Sequence, residues 1–278
     1  MAIDQANCMR RFIRMCDDVW KQGWHESSAG NLSYRLTDED VRVCLPYLSV
    51  KGEGHEWVGL GYEAPEVAGE MMLVTAAGAP MRKVSIDPAV NCGIIEVDES
   101  GSAWRKVWGL RDGARPTSEI DVHILCHAAL MRDTDGDNRV IYHAHTPNIM
   151  SLGLVIEPDE KKWNRVLWGS GTEVIMAAPQ GIGVIPWALP GSLELARRTA
   201  DMIVDHDAVV WTQHGIVVRE QNFDDSFGLA HTLEKAAGVY LHALAANGGA
   251  EPERLVSAEH LKEICDNLGF DFDEGMMS

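Results

Sequence analysis

His143 and His145 sit in an apolar run, "VIYHAHTPNIM" (140–150), with one small residue between them. Side chains two apart on a β-strand point to the same face. The pair can therefore converge on one point, which is how a strand offers two nitrogens to a metal ion. A third histidine, His214, ends the apolar stretch "VVWTQH" and has Gly215 behind it, which leaves room at the strand end. Three protein nitrogens with a fourth position open is the donor set of a catalytic zinc site. Taken apart, the H-x-H pair and His214 each read more readily as packed strand residues than as ligands.

The segment "PTSEI" (116–120) carries a different chemistry. Proline followed by Thr117 and Ser118 is a helix-start signature, and Glu119 falls in the first turn. An acid there is favoured by the helix dipole whatever its function. The same geometry can hold a phosphate on backbone N–H groups and two hydroxyls, with a carboxylate beside it to move a proton. His123 and His127 share a helix face, but "HILCH" lacks the glutamate of the H-E-x-x-H zinc pattern and reads as structural. The remaining histidines (25, 55, 206, 231, 242, 260) show no partner at useful spacing.

These side chains need elements to position them. The expected order is a helix over 4–22, a strand over 29–36 after a Gly-rich turn, and surface loops over the Gly- and Glu-rich stretch 37–70. Strands follow near 71–75, 92–98 and 102–110, then a helix from 117, an acidic loop "DTDGDN" and the H-x-H strand. Helices are expected at 147–156 and 158–168, strands at "EVIMAA" (173–178) and "GIGVIPW" (181–187), and a helix over 192–206. A strand pair broken at Gly215, a long helix over 223–246 and a last helix over 257–268 complete the chain. Interleaved strands and helices without repeat or linker predict one α/β domain over 1–278.

Composition narrows the partners. The 278 residues carry 24 Lys+Arg against 42 Asp+Glu, a formal net charge of −18. That excess argues against nucleic acid and anionic membranes. An anionic substrate would need local positive potential from a metal ion or aligned N–H groups. The six cysteines (8, 16, 44, 92, 126, 265) are scattered, without C-x-x-C, and read as reduced buried thiols. With no long apolar run and an amphipathic, mixed-charge start, the expectation is a soluble cytoplasmic protein.

"AGNLSYRL", "PTSEI", "IYHAHTPNIMSL", "WGSGTE", "IPWALPGS" and "QHGIVV" occur in this order and spacing from about residue 10 to about 268. By them the chain resembles the class II (zinc) aldolase/adducin-head family, and within it the rhamnulose-phosphate branch. The resemblance implies a three-layer α/β sandwich around a central, mostly antiparallel sheet. It implies one Zn²⁺ per subunit on His143, His145 and His214, with Glu119 as acid/base. Gly30 and Asn31 would hold the dihydroxyacetone-phosphate part, with Gly78, Thr117 and Ser118 near the phosphate. Glu173, read from sequence as an acid at a loop-to-strand junction, would reach a neighbouring subunit's site and assist at the aldehyde end. The implied activity is zinc-dependent retro-aldol cleavage of L-rhamnulose 1-phosphate by a homotetramer with sites at subunit interfaces. An L-fuculose-1-phosphate aldolase or L-ribulose-5-phosphate 4-epimerase activity, and a metal-free adducin-head-like module, are the alternatives. No lysine lies in these segments to form a Schiff base. Two departures concern the phosphate end: Ser28 stands where the branch has asparagine, and Ala77 where a serine is frequent.

Overall fold

The computed structural model describes residues 3–50, 54–134 and 136–277. Nine strands form one sheet: β1 (Asn31–Arg35), β2 (Val58–Gly59), β3 (Met71–Thr75), β4 (Cys92–Val97), β5 (Ala103–Gly109), β6 (Val140–Ala144), β7 (Ile182–Ile185), β8 (Ala208–Trp211) and β9 (Gly215–Glu220). Their order is β2-β5-β4-β3-β1-β6-β9-β8-β7. Every pairing is antiparallel except β7 with β8. The helices are α1 (Asn7–Lys21), α2 (Asp38–Cys44), α3 (Pro88–Asn91), α4 (Ile120–Asp133), α5 (Pro147–Leu152), α6 (Glu160–Gly169), α7 (Thr172–Ala177), α8 (Leu193–Ile203), α9 (Phe223–Ala246) and α10 (Ala258–Leu268). The expected mostly antiparallel α/β sandwich is what the chain adopts.

Alternation along the strands divides the core in two. Leu32, Tyr142, Ala144, Ile216 and Val218 pack with α1, α5, α6 and α9 on one face. Ile141, Val209, Trp211 and Val217 pack with α4 and α8 on the other. Fully buried side chains such as Phe12, Trp163 and Trp168 anchor the first layer. Burial of each contributes about 1.5–3 kcal/mol or somewhat more for the indoles. Among the described residues no helix is long and apolar enough to cross a membrane.

β1 is the exception to apolar packing. Leu32 faces the first layer, while Asn31, Ser33 and Arg35 form a buried polar stripe toward α4. In register, Asn31 lies opposite His143. The strand therefore delivers its first stripe residue to the H-x-H strand.

Three expectations are corrected. "EVIMAA" is not a strand: Thr172–Ala177 forms α7, with Glu173 in its first turn. A six-residue apolar run does not distinguish the two by periodicity. The 37–70 stretch is not all loop. Thr37 and Asp40 form a reciprocal capping box that starts α2, and Val58–Gly59 adds an edge strand. Residues 51–53 of that stretch, and Asp135 of the acidic loop, lie outside the described residues. Finally, Glu119 is not inside the first turn of α4 but is its N-cap residue, at φ −101° and ψ 24°. The Thr117 hydroxyl accepts from the Glu119 N–H at 3.3 Å, so Thr117 braces the turn before the helix.

Candidate metal centre and its carboxylate

His143 is the second-last residue of β6, and His145 follows its end. His214 comes from the three-residue turn between β8 and β9, whose strands close on the Trp211–Gly215 pair. Gln213 in that turn sits at φ +61°, a left-handed position that bulky residues seldom take. Its side chain is tied to the Gly153 carbonyl at 2.7 Å. Gly215 is required by closeness: a Cβ there would lie against the Ala144 carbonyl oxygen and 3.2 Å from the His143 ring.

The three imidazoles converge. Their ring centroids are 5.1, 4.9 and 4.9 Å apart, and one nitrogen from each lies within 4.8 Å of the others. Two of the rings are held from behind. His143 donates Nδ1–H to the Ile216 carbonyl at 3.1 Å, and the Trp211 ring packs 4.5 Å from it. His145 donates Nδ1–H to Glu26 Oε1 at 2.8 Å. A carbonyl or carboxylate on the rear nitrogen fixes the tautomer and leaves the forward nitrogen with its lone pair. His143 Nε2 and His214 Nδ1 are buried without a hydrogen-bond partner. Orphaned buried nitrogens cost free energy unless something polar meets them. Burial, reinforced by the neighbouring imidazoles, holds the His143 pKa well below the usual histidine range and that of His214 at about 4. Convergent imidazoles with unused lone pairs, those of His143 and His214 held neutral by burial, fit a divalent cation of the kind that prefers nitrogen ligands.

Glu119 stands over this cluster. Its carboxylate oxygens lie 3.6 Å from His143 Nε2 and 3.9 Å from His214 Nε2. Burial raises its pKa, against the opposing effects of a hydrogen bond from Asn31 Nδ2 at 2.7 Å and the His145 charge. A carboxyl with a raised pKa holds a proton more readily than an ordinary one, which suits it to proton exchange.

Asn31, Glu119, His143, His145 and His214 are thus brought together. Gly30 adjoins them at φ +69°, where a Cβ would meet the His25 ring and come within 2.8 Å of the His143 carbonyl. Thr117 and Ser118 line a separate cleft of about 380 Å³ with Ala77, Trp104 and Arg115. Ala77, where a serine is frequent in the resembling branch, is an exposed part of that wall, and Gly78 is its neighbour. Glu173 does not join the cluster within one chain. It is exposed and takes no side-chain partner among the described residues. His123 and His127 ligate nothing with the triad; both bond to Ser33.

Three residues escape the sequence reading. Glu26 backs His145, although nothing in "HES" marks it. His25 shows no partner at useful spacing in the sequence, yet it has two in the structure. Its Nδ1–H donates to the Ala29 carbonyl at 2.8 Å, and its Nε2 accepts from the Tyr142 hydroxyl at 2.7 Å. The tyrosine is 117 residues away, beyond any spacing argument. Arg115, next to the "PTSE" motif, puts an exposed guanidinium in the cleft wall.

The sequence model of the family described as "Class II Aldolase and Adducin N-terminal domain" matches residues 10–241. The chain is 35% identical over 267 residues to a rhamnulose-1-phosphate aldolase of Escherichia coli (strain K12), covering 96% of this chain and 95% of that one. Among solved structures it is similar to a sugar-phosphate aldolase from Thermotoga maritima, with a TM-score of 0.69 and 27% identity, over 88% of this chain and 98% of that one. It also shares its fold with an L-fuculose-1-phosphate aldolase from Thermus thermophilus, with a TM-score of 0.57 at 18% identity, over 87% and 97% of the two chains.

Proposed function

The chain belongs to the class II aldolase and adducin N-terminal domain family, and from that premise we propose that it cleaves L-rhamnulose 1-phosphate to dihydroxyacetone phosphate and L-lactaldehyde. The observation that supports this most is the convergence of His143, His145 and His214 beneath Glu119. The three histidines hold the metal, proposed as one zinc ion per subunit. When bound, it supplies Lewis-acid stabilisation for negative charge developing on the ketose oxygens.

The chain's own residues carry the protons. The C3–C4 bond of the ketose phosphate breaks and its electron pair stays on C3. Glu119 delivers a proton to that carbon, and takes it back in the aldol direction. Asn31 holds one Glu119 oxygen by its amide N–H, which steadies the carboxyl for the transfer. The proton from the C4 hydroxyl leaves as the aldehyde forms. Glu173 is proposed to accept it at a neighbouring subunit's site, within a homotetramer, because it is exposed and remote from its own triad. Gly30 and Asn31 take the three-carbon end, while Gly78, Thr117 and Ser118 with Arg115 take the phosphate. Residues 1–278 act as a single domain, and the setting is cytoplasmic rhamnose catabolism.

The test is incubation of the zinc-loaded protein with L-rhamnulose 1-phosphate, L-fuculose 1-phosphate and L-ribulose 5-phosphate in parallel. Dihydroxyacetone phosphate and lactaldehyde are expected to form fastest from the first. Faster turnover of the second would reassign the sugar, and epimerisation of the third without cleavage would replace the reaction. For Glu173, co-refolded Glu173→Ala and Glu119→Ala chains are expected to recover activity that neither has alone. Strictly additive activities, with subunit exchange demonstrated, would confine Glu173 to its own chain.

A further inference from the structure

From Glu119, a line of four further polar groups runs through the interior. Asn31 Nδ2 donates to Glu119 Oε2 at 2.7 Å. His123 Nε2 is 2.6 Å from Asn31 Oδ1. Ser33 Oγ is 2.7 Å from His123 Nδ1 and 2.9 Å from His127 Nε2. Asn31, His123, Ser33 and His127 are each 0–5% exposed. The line ends at His127 Nδ1, which is buried and has no partner.

A line of neutral imidazoles and a hydroxyl has two self-consistent proton arrangements. In one, every hydrogen points toward Glu119: His127 Nε2–H to Ser33, Ser33 O–H to His123 Nδ1, His123 Nε2–H to Asn31 Oδ1. In the other, every hydrogen is reversed, and His127 must carry its proton on Nδ1. The unpartnered end decides between them. Reversal would bury an N–H with no acceptor, whereas the first arrangement leaves only an unused lone pair. Orphaned buried donors are the rarer and costlier defect. Charge agrees. The cationic groups of Arg35 and Arg139 both disfavour a positive charge on His127, so it cannot take a second proton to evade the choice. Glu119, a carboxylate, draws hydrogens from the other end. Burial keeps both rings neutral, with His123 at about 3.

We propose that His127, Ser33 and His123 form a one-directional hydrogen-bond chain that fixes which face Asn31 turns to Glu119, making His123 a positioning residue for the acid/base. The side-chain amide of Asn31 has an N–H₂ and an oxygen of nearly equal shape. Without a donor on its far side, it is free to turn its oxygen toward Glu119. The carboxylate would then meet a second acceptor instead of a donor. With His123 Nε2–H against Oδ1, only the N–H₂ can face Glu119. Aligned dipoles in a low-dielectric interior strengthen one another. The catalytic consequence rests on Glu119 being the proton carrier; the proton arrangement does not.

Two experiments test this. Imidazole ¹⁵N NMR on the zinc-loaded wild-type protein should find both His123 and His127 protonated at Nε2 and bare at Nδ1. A proton on Nδ1 of either ring would overturn the proposal. The second compares His123→Gln with His123→Asn. The glutamine amide nitrogen reaches the place of Nε2 and can still donate to Asn31; the shorter asparagine cannot. With metal content and KM unchanged in both, kcat is expected to fall about tenfold in His123→Asn, the value of one hydrogen bond to a charged group. In His123→Gln it should stay within about threefold of wild type. Equal losses in the two folded variants would leave His123 a packing residue. Should Glu119→Gln retain full turnover, the acid/base assignment falls and the NMR result still stands or fails by itself.

Discussion

Two sets of histidines flank Glu119, and they differ in what their nitrogens do. In His123 and His127 three of four ring nitrogens are spent on neighbours within the core. In the triad, only the rear nitrogens of His143 and His145 are tied to protein groups. The forward ones converge beneath the Glu119 carboxylate. Both sets are largely buried, and burial depresses the pKa of His123, His127, His143 and His214 alike. Burial and pKa therefore do not separate a ligand from a structural histidine. The number of unspent lone pairs, and whether they point at one another, does.

Metal removal should break the two sets apart most sharply. A strong chelator is expected to take cleavage activity to background, with zinc restoring it. The ring signals of His143, His145 and His214 should move on loading, while those of His123 and His127 stay. Movement of both sets alike would erase the distinction. Next in size is Glu119→Gln, which keeps the shape between the sets and removes the base. Turnover should fall about 10²–10⁴-fold, with metal content and thermal midpoint nearly unchanged. Near-normal turnover would reduce Glu119 to a helix-start acid.

Glu26→Ala probes the rear of the triad. Groups that orient ligands typically contribute about 10–100-fold to metal affinity. Because Glu26 is mostly exposed, about tenfold is expected, read by competition with a chromophoric chelator. An unchanged affinity would mean that the His145 orientation is set by its backbone alone.

His25 offers the smallest and most local contrast. It is buried like the triad but spends both nitrogens, like the second set. Burial lowers its pKa to about 4 from the usual value near 6.5. A folded pKa below the unfolded one means that its stabilisation is complete above about pH 6.5 and is lost as pH falls toward 4. The stability difference between wild type and His25→Gln should therefore shrink by about 2 kcal/mol between pH 7 and pH 5. A pH-independent difference would show His25 to titrate normally.

The triad is legible in the sequence because its signals are short-range: two residues apart on a strand, and a glycine after the third histidine. Glu119 is legible through the helix-start pattern, though one position off, since the boundary between cap and first turn depends on backbone angles. The groups behind the triad are not legible. Glu26 meets His145 across 119 residues, and Asn31 meets His123 across 92. Only strand register and helix docking create those pairs. The miss at 173–178 has the opposite cause: a run too short for its period to show. In the 37–70 stretch, glycines and glutamates hide a two-residue capping signal at Thr37 and Asp40.

The register of β1 against β6 has a consequence for how this chain can change length. Asn31, Ser33 and Arg35 face α4 only because alternate residues of a strand divide between the two sides of the sheet. Insertion of one residue in the turn at 26–30 that was taken up by sliding β1 would exchange odd positions for even. Leu32 would then take the place of Ser33 beneath α4, Gly30 would lie opposite His143, and the polar stripe would enter the apolar layer. Insertion of two would restore the side but shift every partner. The segment entering β1 is thus governed by parity, and its length is fixed, whereas the exposed stretch beyond β1, which carries no such count, is where added or deleted residues can be absorbed.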